Sequence, residues 1–239
     1  MAATMDVPCS PAFSVRLPDM ALRAPVNPRT LLTWLGLAFG AAGLVLQFVL
    51  SFQGAMANGR DIPGFLGHFF AFYTILTNVI LVLIYLSELL PTSRLALFRR
   101  PVVRGLMAAN IALVALYVYF VLRYLSQLDG LLQLADTILH YLCPTLYLLW
   151  WVVVQRHGLL RWTNIPVMLA PTFAYFIYIM ARGTWVREYP YPILNAINLG
   201  YGVVLLNAVY MTVGLGILTL IVVALDQILG QPRMPIDLT

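Results

Sequence analysis

Six long apolar stretches follow one another along the chain, at approximately 31–52, 66–90, 101–124, 135–155, 164–181 and 200–225. Each is long enough to cross ~30 Å of hydrocarbon as a helix. Short connections separate them, with turn residues at Gly59, Pro91, Gly130 and Gly158. The pattern predicts an all-α polytopic membrane protein, a bundle of six transmembrane helices forming one domain over 29–227. Residues 1–28 differ: Pro8, Pro11, Pro18, Pro25 and Pro28 stand among mixed charges, which predicts a flexible cytoplasmic tail. Residues 228–239 are expected to form a short second tail on the same side. Ala55-Met56-Ala57 has the small-residue look of a signal-peptide cleavage site. The apolar run before it exceeds the ~7–15 residues of a signal core, so the first stretch is read as a retained helix.

Composition strengthens the membrane reading. The 239 residues are 62% hydrophobic and 10% charged, whereas soluble domains carry roughly 25% charged residues. All 14 basic residues are arginine. Without lysine, Schiff-base chemistry, pyridoxal-phosphate anchoring and a Walker-type phosphate loop are excluded. Cys9 lies in the tail and Cys143 inside a span, so no structural disulfide is expected, and no zinc-type cysteine spacing occurs.

Arginine placement orients the bundle. Arg16, Arg23, Arg29, Arg94, Arg99, Arg100, Arg104, Arg156, Arg161 and Arg233 fall on one side; Arg60, Arg123, Arg182 and Arg187 fall on the other. The positive-inside rule then puts both termini in the cytoplasm. The net charge of +5 is topology information on this reading, and no nucleic-acid partner is implied. The absence of lysine and of any Asn-x-Ser/Thr sequon fits a bacterial cytoplasmic membrane. The second span then runs from outside to inside, which puts Thr74 about 8 residues, roughly 12 Å, below its outer end.

Polar residues inside these spans are the candidates for chemistry. Thr74, Thr77 and Asn78 are spaced i, i+3, i+4 and share one helical face. Threonines inside membranes commonly bond the carbonyl one turn back, and asparagines tie helices together. His140 is the histidine set well inside a span, with Asp136 one turn earlier on the same face. Asp136 is placed to orient the imidazole, and Pro144 to kink the helix beside it. Helix–helix bonding and function are equally open for this pair on residue type alone. The segment 182–199 is expected to be an outer loop whose Trp185, Tyr189 and Tyr191 form an interfacial belt. The alternative is a lid in which Arg182 or Arg187 meets a carboxylate or phosphate. Glu88 and Asp226, at helix ends, are expected to be solvated, and Asn207 to bond between helices. His68, His140, Asp136 and Glu188 match no metal motif, so neither metal nor cofactor is expected.

Three segments carry a family resemblance: Phe72-Tyr73-Thr74-Ile75-Leu76-Thr77-Asn78, then Leu139-His140-Tyr141-Leu142-Cys143-Pro144, then Gly183-Thr184-Trp185 with Tyr189-Pro190-Tyr191-Pro192. In this order on six spans, the chain resembles the androgen-induced, FAR-type multipass membrane proteins. That family includes the androgen-dependent TFPI-regulating protein, and Thr77-Asn78 points to its bacterial branch. The resemblance covers roughly 31–225. It implies hydrolysis of fatty-acid esters of hydroxy fatty acids or similar lipid esters, with Thr74 as nucleophile and His140 as its base. Spacing adds Asp136 as imidazole orienter and Thr77 or Asn78 as oxyanion donor. Tyr73, Arg182, Trp185, Tyr189 and Tyr191 are the expected substrate contacts. The alternative is a non-catalytic lipid or small-molecule binding or transport protein using the same polar cluster.

Overall fold

The computed structural model describes residues 27–124 and 128–230. The expectations placed on 1–26 and 231–239, including Cys9, Arg16, Arg23 and Arg233, lie outside the described residues. Eight α-helices follow in order: α1 (Pro28–Ala57), α2 (Ile62–Phe69), α3 (Tyr73–Leu89), α4 (Pro101–Phe120), α5 (Gly130–Thr137), α6 (Cys143–Val154), α7 (Ile165–Val186) and α8 (Ala196–Leu229). A π-helical turn, Ile138–Leu142, joins α5 to α6. No strand occurs among the described residues. Among the described residues five helical runs are long and apolar enough to cross a membrane, six if the α2–α3 pair, bent by 76°, is one broken span. The chain is therefore an all-α polytopic bundle. The α2–α3 pair is bent, and Thr74 stands in the first turn of α3, just after the bend.

Local sequence sets these boundaries. The Asn27 carboxamide accepts the Arg29 N–H at 3.0 Å, with Pro28 opening α1. Asp61 caps α2 through Gly64 N–H at 3.2 Å, and Asn195 caps α8. Each supplies an acceptor to N–H groups that a helix start leaves unpaired.

In lipid the surroundings are as apolar as the core, so close approach and interhelical hydrogen bonds hold the helices together. The buried face of α1 is Thr33, Gly36, Gly40 and Gly43. A Cβ on Gly36 would stand 2.2 Å from the Tyr85 ring of α3, so glycine there lets the two helices touch. Behind it Tyr85, Tyr147, Trp150 and Trp151 fill the core, and Trp150 Nε1 donates to Thr33 Oγ1 at 2.8 Å. α4 is central, packing on α3, α6, α7 and α8.

Polar clamps lie at both ends of the bundle. At the end where α3, α6 and α8 finish, here the lower end, Asp226 is fully buried, not solvated as its position predicts. Its Oδ2 accepts the Leu159 and Leu160 N–H groups at 2.9 and 2.7 Å, and Oδ1 lies 3.1 Å from His157 Nδ1. One carboxylate thus holds the α6–α7 connection against α8. Glu88 remains part-exposed and pairs with buried Arg104 at 2.6 Å. Asn207 donates from Nδ2 to Ile193 O at 2.9 Å, tying α8 to the segment before it.

Asp226→Ala leaves two main-chain donors and an imidazole without their acceptor. The expected loss is about 3 kcal/mol or more. Asp226→Asn keeps one oxygen for the main-chain donors and loses less. Thermal unfolding of both variants in detergent measures the difference.

Candidate functional site

The bend between α2 and α3 leaves main-chain groups that a continuous helix would pair, and unpaired groups are expensive at membrane depth. Two tyrosines take them up. Tyr175 of α7 donates its O–H to Ala71 O at 2.7 Å. Tyr191, between α7 and α8, accepts the Thr74 N–H at 3.3 Å. The Thr74 N–H, in the first turn of α3 and at the positive end of that helix dipole, is thereby paired with the Tyr191 hydroxyl.

The π turn supplies the opposing wall. Pro144 has no N–H and its ring crowds the carbonyl one turn back, which is that of His140. The ladder widens: Cys143 N–H bonds Ile138 O. Leu139 O then loses Cys143 as its α-helical partner, and its π-helical partner would be the N–H that Pro144 lacks. Asn78 Nδ2 fills the vacancy at 3.3 Å. Pi turns of this kind recur at functional sites, and this one carries His140.

His140 and Thr74 meet across the two irregularities. His140 Nε2 lies 3.3 Å from Thr74 Oγ1. Its Nδ1 faces two oxygens of Asp136, Oδ1 at 2.8 Å and the main-chain carbonyl at 3.1 Å. Both are acceptors, so the proton of the neutral imidazole belongs on Nδ1 and the Nε2 lone pair faces the threonine hydroxyl. Thr74 is 6% exposed. The three residues thus form a hydroxyl–imidazole–carboxylate chain, the arrangement in which a base activates a weak nucleophile and is itself oriented.

Thr77 and Asn78 serve the scaffold. Thr77 Oγ1 donates to Thr74 O at 3.0 Å, and Asn78 Nδ2 to the same carbonyl at 2.9 Å as well as to Leu139 O. Both donors are committed to main-chain oxygens, so neither is free for the oxyanion role that spacing predicts. The group facing Thr74 is instead the Tyr191 phenol, 3.5 Å from Thr74 Oγ1. Burial pushes this phenol above its ordinary pKa, which keeps it a neutral O–H donor.

On its far side Thr74 lines a cavity of about 950 Å³. Leu113, Val114, Phe173, Phe176 and Leu215 are among its walls, so it is almost wholly apolar. Phe173, Leu205 and Val209 line it while being 62%, 56% and 56% exposed. The space therefore opens sideways between α7 and α8, where lipid would lie. Tyr73 also lines it, and its hydroxyl meets Asn110 Oδ1 and, at 2.6 Å, Thr172 Oγ1. Thr172 Oγ1 in turn donates to Asn110 Oδ1 at 2.7 Å. Asn110 and Thr172 are absent from the sequence-based site; an asparagine in the middle of the third apolar stretch is the signal that marks it.

The remaining expected contacts divide. Glu188 gathers three cationic or titratable partners: Arg60 at 2.7 Å, Arg182 at 3.3 Å and His68 Nδ1 at 3.1 Å, the last close without hydrogen-bond alignment. Arg182 is therefore engaged in holding the 187–195 segment down. A Cβ on Gly183 would stand 2.0 Å from the Tyr189 ring, so Tyr189 packs on α7. Trp185 belongs to α7 rather than to a loop, is 89% exposed and does not line the cavity. Arg187 closes α7 in a left-handed conformation, φ 60°. His68 with Glu188 and His140 with Asp136 are separate pairs. Among the described residues no three His, Cys, Asp or Glu side chains gather as a metal site.

Fold and composition define a multipass α-helical membrane protein. Comparisons of the chain with protein-family models, with curated proteins and with solved structures find no match.

The Arg60 hydrogen bond leads in holding the Glu188 carboxyl at about 2, against an ordinary 4.5; burial opposes it, and His68 and Arg182 add to the lowering. The folded-state pKa is the lower one, so this stabilisation is complete above about 4.5 and lost as pH falls from there toward 2. The melting temperature of the wild type is expected to fall over that window. Glu188→Gln should start lower and show a flatter profile, as read by thermal unfolding in detergent.

Proposed function

We propose that the chain is an integral-membrane hydrolase of lipid esters. The observation that carries this reading is the Asp136–His140–Thr74 chain ending on the wall of an apolar, laterally open cavity. The acyl chain of the substrate lies in the cavity with its ester carbonyl at Thr74. His140 Nε2 takes the hydroxyl proton as Thr74 Oγ1 attacks the carbonyl carbon. The developing oxyanion is met by the Tyr191 O–H, at the positive end of the α3 dipole. His140 returns the proton to the leaving alcohol. Water, activated by the same imidazole, then releases the acid and restores the threonine. Asp136 fixes the tautomer and stabilises the imidazolium.

The reading agrees with the resemblance to the androgen-induced, FAR-type proteins, whose substrates are fatty-acid esters of hydroxy fatty acids. The arginine distribution supports both termini in the cytoplasm, which turns Thr74 and His140 toward the outer leaflet. A second reading, a non-catalytic lipid-binding protein, is favoured by one observation: of the three residues only Thr74 lines the cavity.

The test is hydrolysis of a short-chain fluorogenic ester by detergent-purified protein. Thr74→Ala and His140→Ala are expected to lose turnover by about 10³-fold or more. Tyr191→Phe is expected to lower kcat by about 10²-fold with KM little changed. Wild-type turnover in Thr74→Ala would contradict the mechanism. No turnover in the wild type, with lipid retained in the cavity, would favour the binding protein.

A further inference from the structure

At the lower end, away from Thr74, a second cavity of about 420 Å³ lies between the ends of α1, α3, α4 and α6. Its lining includes Arg29, Arg99, Arg104, Arg156, Glu88 and Gln155. Four arginines and one glutamate thus line it. Arg104 is spoken for: it pairs with Glu88 at 2.6 Å, donates to Gln155 Oε1 at 3.1 Å and to Phe98 O at 3.1 Å, and lies over the Trp150 ring. Arg99 reaches Thr92 O at 2.8 Å. Among the described residues the guanidinium groups of Arg29 and Arg156 make no hydrogen bond or ion pair, yet both line the same concavity.

Positive-inside arginines that only set topology would be expected to point separately into solvent. Here four line one cavity, with polar lining from Thr30, Thr33 and Gln155. Pro101 also lines the cavity and is the first residue of α4, which brings the positive end of that helix dipole to the same wall. The cavity lies where the spans end, at the depth of lipid head groups. Basic pockets between transmembrane helices at that depth bind phosphate-bearing head groups, and guanidinium matches a phosphate in charge and in its fork of donors.

We propose that this cavity is a phosphate-binding site, with Arg29 and Arg156 as the groups that close on the anion and Arg99 as a third contact. Its ligand is the phosphate of an anionic lipid head group or a free phosphate. The site is independent of the ester chemistry at Thr74.

The test uses the full chain, delipidated in detergent and titrated separately with phosphatidylglycerol, phosphatidylcholine and inorganic phosphate. Melting temperature and native mass spectrometry are the readouts. Phosphatidylglycerol is expected to raise the melting temperature by several degrees and to remain bound, while phosphatidylcholine does neither. In the double variant Arg29→Gln, Arg156→Gln, retained phosphatidylglycerol should fall at least fivefold. Both side chains are exposed and bond nothing among the described residues, so the lipid-free variant should melt with the wild type. A shift with inorganic phosphate alone, lost in the same variant, would support the site with a soluble source. Equal retention of the two lipids, or undiminished binding by the double variant, would overturn it.

Discussion

The contact of His140 Nε2 with Thr74 Oγ1, at 3.3 Å, exists because two helices depart from regular geometry at the same level of the bundle. The α2–α3 pair bends by 76° before Thr74; the α5–α6 run widens to a π turn around His140. Each departure strands main-chain polar groups where water cannot reach them easily, at a penalty of roughly several kcal/mol for each group left alone. Neighbouring side chains absorb that penalty. Tyr175 takes Ala71 O, Tyr191 takes the Thr74 N–H, and Asn78 takes Leu139 O. Asn78 also holds Thr74 O, so one carboxamide couples the two irregular segments directly. The polar residues that surround the candidate nucleophile are thus largely the supports of its backbone.

This division of labour changes how the segment Phe72–Asn78 is understood. Spacing places Thr74, Thr77 and Asn78 on one face, and it offers no means of telling them apart. The hydrogen bonds make the distinction: Thr77 and Asn78 point back at carbonyls, while Thr74 stands between the imidazole and the cavity. Tyr191 gains two functions from its position beyond α7. It caps the start of α3, and its hydroxyl lies 3.5 Å from the Thr74 oxygen. The Glu188 ion pairs anchor the same segment to Arg60 and Arg182.

Much of this was legible in the sequence. Long apolar stretches gave the all-α bundle, because hydrocarbon thickness fixes helix length. Asp136 and His140 were legible as a pair because i, i+4 residues share a helical face. The bend at Phe70–Phe72 was not legible: no proline or glycine marks it, and it is held by tyrosines more than 100 positions away in the chain. The π turn was visible only as an expected kink at Pro144. The burial of Asp226 was hidden for a similar reason, since its partners Leu159 and Leu160 offer main-chain N–H groups that a side-chain pattern does not reveal. Local patterns predict elements; groups satisfied across the fold decide where those elements break.

The central claim is that Thr74 is a nucleophile activated by His140. Covalent trapping tests it most directly. Purified protein is treated with a lipophilic fluorophosphonate, digested, and the modified residue identified by peptide mass spectrometry. The account predicts a single phosphonyl adduct on Thr74, absent in His140→Ala although that variant retains the threonine. An adduct on another residue, or labelling of Thr74 that is undiminished without His140, would contradict it.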